Sequence, residues 1–290
     1  MSEHLYQYPF IPKRFSIGPH SLSYVDEGRG PAVVMVHGNP SWSYLYRNVI
    51  TALRGEYRCI APDHIGCGLS DKPGNYPYRL QNHIDNLSRL LDHLQVERCV
   101  LVVHDWGGAV GMGWAGANQD RIAGLVVLNS AAFPSPRIPF RIRICRWPLI
   151  GSLLVRGMNG FAGPATFMAV ENSMDTRVRE GFLAPYDSWG SRVAIHRFIQ
   201  DIPMQTRHPS WQALQTIAAS LGGLRQKPML ILWGGSDFCF NRPFYEEWRR
   251  RFPKAEGRCF EQAGHYVLED VFPEAMMQVE PFLKSCYGKL

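Results

Sequence analysis

The chain has 290 residues, 46% of them hydrophobic and 19% charged, an ordinary globular composition with enough apolar side chains for a sizeable core. Its formal net charge of +6 is too mild to imply a nucleic-acid partner by itself. No apolar run approaches the ~20 residues that span a bilayer, which sets aside a membrane-embedded protein.

The N-terminal MSEHLYQYPFIPKR lacks the basic start and apolar core of a leader peptide. The seven cysteines (Cys59, Cys67, Cys99, Cys145, Cys239, Cys259 and Cys286) are odd in number and show no C-x-x-C spacing. They read as scattered thiols of a reducing compartment, not a disulfide frame or a zinc site. The expectation is a soluble cytoplasmic protein.

In chain order, Arg14–Ile17 and Ser21–Val25 flank Gly18-Pro19 and predict an antiparallel hairpin. A buried strand runs from Pro31 to Val36 and stops at His37-Gly38-Asn39-Pro40. A helix over about Trp42–Leu53 precedes a strand at Tyr57–Ala61, which ends in PDHIGCGLSDKP at 62–73. Ile84, Leu87, Leu90, Leu91 and Leu94 recur at helical spacing between Leu80 and Leu94.

The next stretch, RCVLVVHDWGGAVGMG at 98–113, turns sharply from an apolar β-branched run into a helix of small residues, with Asp105 at the corner. A further strand spans Ile122–Leu128. Strands and helices alternating in this way predict βαβ units and a mostly parallel central sheet flanked by helices.

After Asn129 the rhythm changes. Residues 133–215 contain no β run and several Pro and Gly breaks, which predicts a helical cap inserted after the sixth strand. The alternation then resumes: a strand at Pro228–Trp233, a helix at Arg242–Arg251, a strand near Arg258–Phe260 and a helix at Pro273–Leu283. The expected division is a core domain, 1–132 with 216–290, and a cap domain, 133–215. Open parallel sheets place ligands at the carboxyl ends of their strands, where such a cap would sit.

Within the insertion, Arg137, Arg141, Arg143, Arg146 and Arg156 lie among Ile, Phe, Leu and Trp147. The Arg137–Arg156 stretch could contact a membrane surface or support a homo-oligomer. The plainer expectation is a cap helix whose apolar residues cover the core while its arginines snorkel.

Three polar residues stand just beyond predicted strands, in the order Asp105, Asp237, His265. Asp105 could simply cap a helix, and so could Asp237, while His265 could be a loop histidine. Together they match the nucleophile–acid–histidine order of enzymes whose nucleophile stands at a strand-to-helix elbow. A carboxylate beside free helix amides stays ionised, and those amides can also receive an oxyanion.

With HGNP at 37–40, PDHIGCGLSDKP at 62–73, HDWGG at 104–108, Gly-Ser-Asp at 235–237 and AGHY at 263–266, nearly the whole chain resembles the α/β-hydrolase superfamily. The usual G-x-S-x-G elbow is replaced by V-H-D-W-G. An aspartate at that position implies attack on a saturated carbon, giving an alkyl ester. His265, oriented by Asp237, would then activate water to hydrolyse it. The main-chain amides of Asn39 and Trp106 would form the oxyanion hole.

Aspartate-elbow members of this fold are chiefly haloalkane dehalogenases and epoxide hydrolases. Epoxide hydrolases use cap tyrosines as acids, and between Phe133 and Arg225 the chain offers Tyr186 alone. The Asn39 side-chain amide and the Trp106 indole resemble the halide-binding pair of dehalogenases. In one dehalogenase subfamily the acid follows the preceding strand, where this chain has Asn129-Ser130 and no carboxylate, so the resemblance implies Asp237 as the acid. That combination resembles the third dehalogenase subfamily.

The resemblance therefore implies hydrolytic dehalogenation of a small apolar haloalkane. The β-lactone decarboxylases of long-chain olefin biosynthesis share these motifs and provide the alternative, a cis-alkene from a strained lactone. Epoxide hydrolysis and a non-catalytic binding protein are weaker, since no member of the Asp–Asp–His set is missing. Gly66-Cys67-Gly68 lacks the third glycine of a dinucleotide loop, and no phosphate loop or H-E-x-x-H motif occurs, so no cofactor or metal is expected.

Overall fold

The computed structural model describes residues 5–288. Residues 1–4, on which the leader and core-domain expectations partly rest, and residues 289–290, at the other end of the core domain, lie outside the described residues. Eight strands form one sheet: β1 (Lys13–Ile17), β2 (His20–Glu27), β3 (Ala32–Val36), β4 (Arg58–Pro62), β5 (Cys99–Asp105), β6 (Ile122–Ser130), β7 (Met229–Gly234) and β8 (Glu256–Phe260). Their spatial order is β1-β2-β4-β3-β5-β6-β7-β8. The β1–β2 and β2–β4 pairs are antiparallel and all other pairs are parallel.

Every residue of β3, β5, β6 and β7 is buried. A central parallel sheet needs this pattern, because helices cover both of its faces and leave no side for polar alternation. The covering helices include α1 (Arg47–Leu53), α2 (Leu80–His93) and α3 (Trp106–Ala117), which follow β3, β4 and β5. The predicted helix at Trp42–Leu53 begins instead as a 3-10 turn, Ser43–Tyr46, before α1.

Between β6 and β7 the insertion carries α4 (Phe140–Cys145), α5 (Pro148–Ser152), a π-helical turn (Leu153–Gly157), α6 (Ala162–Met168), α7 (Thr176–Leu183), α8 (Val193–Gln200) and α9 (Trp211–Ser220). Position 215, where the cap was expected to end, lies inside α9, and α9 packs against α3 of the core. The last helices are α10 (Arg242–Arg251), α11 (Val267–Asp270) and α12 (Phe272–Tyr287).

The snorkelling expectation for Arg137–Arg156 describes only part of the apolar residues there, since Ile142 and Val155 are buried in the core while others are not. Phe140, Trp147, Leu149, Ile150 and Leu153 are exposed instead of covering the core. The seven cysteines are all free thiols. Among the described residues no helix is long and apolar enough to cross a membrane.

Candidate active site

The turn from β5 into α3 holds Asp105 at φ 53° and ψ −125°, a conformation that costs a non-glycine residue roughly 1–3 kcal/mol and persists only where its surroundings impose it. The surroundings here are specific. The Asn39 main-chain N–H donates to Asp105 Oδ1 at 2.6 Å, and the Trp106 main-chain N–H also serves the carboxylate. The Ser130 hydroxyl donates to the Asp105 carbonyl at 2.5 Å. Gly38 makes the approach possible, since a Cβ there would overlap the Asp105 carboxylate.

The loop carrying Asn39 is itself fixed by histidines. His37 Nδ1 lies 2.7 Å from the Gly38 carbonyl, and the His64 N–H donates to His37 Nε2 at 3.0 Å. That pair of contacts requires the Nδ1-protonated tautomer of His37. In the PDHIG segment, Asp63 is fully buried and accepts from the main-chain N–H groups of Ser43 and Leu69, so this motif braces the same floor.

His265 follows β8 and Asp237 follows β7. His265 Nδ1 lies 2.7 Å from Asp237 Oδ2, and His265 Nε2 faces Asp105 Oδ2 at 3.7 Å. The second distance is too long for a hydrogen bond and leaves the Asp105 oxygen unengaged. Thus the three residues singled out in sequence meet at one place, on three different strand ends.

Two residues noted in sequence only for lacking a carboxylate complete the arrangement. Asn129 Nδ2 donates to Asp237 Oδ2 at 2.9 Å and to the Gly234 carbonyl at 3.0 Å, and Asn129 Oδ1 accepts from the Gly234 N–H at 2.8 Å. A register shift in the β5–β6 pairing sets Asp105 opposite Ser130 and leaves Asn129 out of the ladder, which frees it for this role. His104 lies with Nε2 2.9 Å from the His265 carbonyl and so holds the histidine loop. The sequence signal for all three was a run of buried polar residues at the ends of otherwise apolar strands.

Burial and charge act together here. Burial opposes a charge on His265, but the field and hydrogen bond of Asp237, with Asp105 beyond, overcome it and raise its pKa. Burial likewise opposes the Asp237 charge, yet His265, Cys239 N–H and Asn129 hold its pKa below the ordinary value. At Asp105 burial prevails and the pKa is raised, despite His265 and the two amides. The arrangement offers a buried carboxylate with the Asn39 amide at Oδ1, the Trp106 amide serving the same group, Oδ2 facing His265, and an imidazole hydrogen-bonded to Asp237 behind it.

The carboxylate opens into an apolar cavity of about 490 Å³. Ile138, Ile142, Leu154, Phe161, Met168 and Ile199 supply much of its wall. Besides Asp105 and His265, its charged lining residues are Arg137 and Arg141. Trp106 lines the cavity with its ring edge-on to Phe198 at 5.3 Å.

The Asn39 side chain also lines the cavity, but its Nδ2 donates to the Ile195 carbonyl of α8 at 3.1 Å. One of its two N–H bonds is therefore already taken. Tyr186 is absent from the lining; its hydroxyl is buried, accepting from the Gly68 N–H at 3.2 Å. Among the described residues no cluster of His, Cys, Asp or Glu could hold a metal ion.

A parallel sheet whose strand ends bring a carboxylate elbow, an acid and a histidine under a helical insertion defines a hydrolase-type scaffold. Residues 31–271 match the alpha/beta hydrolase fold, and the chain belongs to that family. Among curated proteins it is similar to a cis-3-alkyl-4-alkyloxetan-2-one decarboxylase of Shewanella oneidensis, 45% identical over 95% of this chain and 89% of that one. A decarboxylase of the same description from Xanthomonas campestris is 42% identical over 96% and 97%.

A "Haloalkane dehalogenase 2" of Mycobacterium tuberculosis is less similar, 30% identical over 91% of each chain. Among solved structures, an ancestral haloalkane dehalogenase superposes with a TM-score of 0.86 at 25% identity, covering 94% of this chain and 99% of that one.

Proposed function

We propose that this protein converts a cis-3,4-dialkyl β-lactone into a cis-alkene and carbon dioxide, with Asp105 as the nucleophile. The full-length similarity to two such decarboxylases carries this reading. It reverses the order of the two readings that the motifs alone suggested, because dehalogenases are the more distant relatives. The cavity supports it too, since its apolar walls suit alkyl substituents.

The chemistry balances without water. The free oxygen of Asp105 attacks ring carbon C4 from the face opposite the ring oxygen. One C–O bond forms, the ring C–O bond breaks, and a carboxylate is released on C3. That carboxylate now lies anti to the new ester bond. Loss of carbon dioxide sends the C3 electron pair into the C3–C4 double bond and expels Asp105 as a carboxylate.

Inversion followed by anti elimination keeps the two alkyl groups on one side, so a cis-lactone yields a cis-alkene. The Asn39 amide holds Asp105 Oδ1, the oxygen that does not attack, and the Trp106 amide also serves the carboxylate. His265, whose pKa its carboxylate neighbours raise, faces Asp105 Oδ2 at 3.7 Å, beside the developing negative charge.

Hydrolytic dehalogenation is the second reading, favoured by Trp106 and Asn39 beside Asp105 in the cavity. Against it stands the Asn39 amide hydrogen already given to Ile195. The test is a side-by-side assay of alkene formation from a cis-β-lactone and bromide release from a 1-bromoalkane. Alkene and carbon dioxide in equal amounts are expected. Bromide turnover without any alkene would return the dehalogenase reading.

A further inference from the structure

We propose that the face built by α4, α5 and the π-helical turn docks onto the surface of a membrane containing anionic phospholipid. The apolar side chains there point outward. Leu149 is 86% exposed, Phe140 73% and Trp147 54%, and Ile150, Leu153 and Met158 are exposed beside them. Among the described residues, six of the eleven large exposed apolar side chains thus fall between Phe140 and Met158, a concentration that marks an interaction surface and not scatter.

The charge on this face has one sign. From Ile122 to Val170 the chain has no Asp or Glu, and it has the five arginines Arg137, Arg141, Arg143, Arg146 and Arg156. Among the described residues none of them pairs with a carboxylate; Arg146 and Arg156 donate to the carbonyls of Ile202 and Trp189. The element packed against this region, α8, adds Arg197 and no acid.

A second copy of the chain would bring the same unpaired positive charge to a symmetric interface, where it would repel. Phosphate headgroups neutralise it, and the projecting Trp, Leu and Phe side chains suit the headgroup–acyl boundary. The cavity is walled by residues of these same helices: Arg141, Ile142, Ile144, Cys145 and, in the π-helical turn, Leu154. Docking would therefore bring the cavity wall to the lipid, where a water-insoluble substrate resides. Only this last consequence rests on the proposed lactone reaction.

The experiment is flotation of the full chain with vesicles of phosphatidylcholine alone and of phosphatidylcholine mixed with phosphatidylglycerol, without substrate. Binding to the anionic vesicles, weakened by salt, is expected. The double variant Arg143→Glu/Leu149→Asp should bind roughly tenfold more weakly or worse, from reversed charge and lost apolar contact. Arg89→Glu, an exposed site on α2, should bind like the wild type.

Neither altered residue of the double variant lines the cavity, so an unchanged melting curve and turnover report its folding. Brominated lipid should quench wild-type tryptophan fluorescence more than that of Trp147→Phe. No vesicle binding by the wild type, an equal loss in Arg89→Glu, or unimpaired binding by the double variant would overturn the proposal. So would an oligomer that the double variant dissolves without any vesicle binding. Because no substrate is present, these outcomes are independent of the alkene assay.

Discussion

Replacing His265 by Gln separates the two chemistries that Asp105 could begin. An alkyl ester formed from a bromoalkane has no way forward except attack by water. Losing the general base from that step costs on the order of 100- to 10,000-fold. The ester should therefore accumulate, and intact-protein mass spectrometry should show one alkyl group on Asp105 per chain.

With the lactone no water is consumed. The negative charge sits first on Asp105, then on the substrate carboxylate, then on Asp105 again. The imidazole faces Asp105 Oδ2 at 3.7 Å, so its field acts on the charge at every stage and largely cancels from the barrier. A residual difference of about 1.4 kcal/mol would reduce alkene formation roughly tenfold. The assays are gas chromatography of the alkene and ion chromatography of bromide. A loss of alkene formation as deep as the loss of hydrolysis would give His265 a proton-transfer role and refute attack at C4.

Asp237→Asn removes the main group that raises the His265 pKa, so burial should then lower it. A base must be neutral to act. The acid limb of any hydrolytic turnover, which lies above the ordinary histidine value in the wild type, should move to lower pH while the plateau falls roughly 10,000-fold. A pH–rate profile with an unmoved limb would contradict this coupling. Asn129→Ala leaves the buried Gly234 N–H and carbonyl without their Asn129 partners, and denaturant unfolding should show a loss of about 1–3 kcal/mol for each group orphaned.

Gly38→Ala would push a methyl group into the Asp105 carboxylate, so ester formation should disappear while circular dichroism stays native. Arg47 is buried and makes a two-pronged pair with Glu269 at 2.6 and 2.8 Å. Glu269→Ala strands that charge and should cost about 3–5 kcal/mol by equilibrium unfolding.

Asp105 and Asp237 were legible because each stands where a buried run stops abruptly, and His265 because AGHY follows the last expected strand. Such stops mark strand ends in a parallel sheet, and the sheet gathers them. The roles of Asn129 and Ser130 were not legible, because they depend on the register shift opposite Asp105, and period-2 alternation is invisible in strands buried on both faces. The Asn39 contact with Ile195 joins residues 156 apart in sequence and depends on how α8 settles over the site. The outward face of α4 and α5 was misread for a related reason. Apolar helical residues look alike whether they cover a core or face outward, and only exposure distinguishes them.

The same logic explains why the motifs could not separate dehalogenation from decarboxylation. Both reactions can share an aspartate ester, and the residues around Asp105 serve its formation equally. What differs is the fate of the ester, which the substrate decides. An ester made from a haloalkane carries no internal electron source and waits for the His265-activated water. One made from a β-lactone carries a carboxylate on the neighbouring carbon, already anti to the ester bond, and collapses without help. The choice therefore lies in which molecule the cavity admits. Ile138, Ile142, Leu154 and Phe161, which the insertion contributes to the cavity wall, lie outside every motif quoted from the sequence.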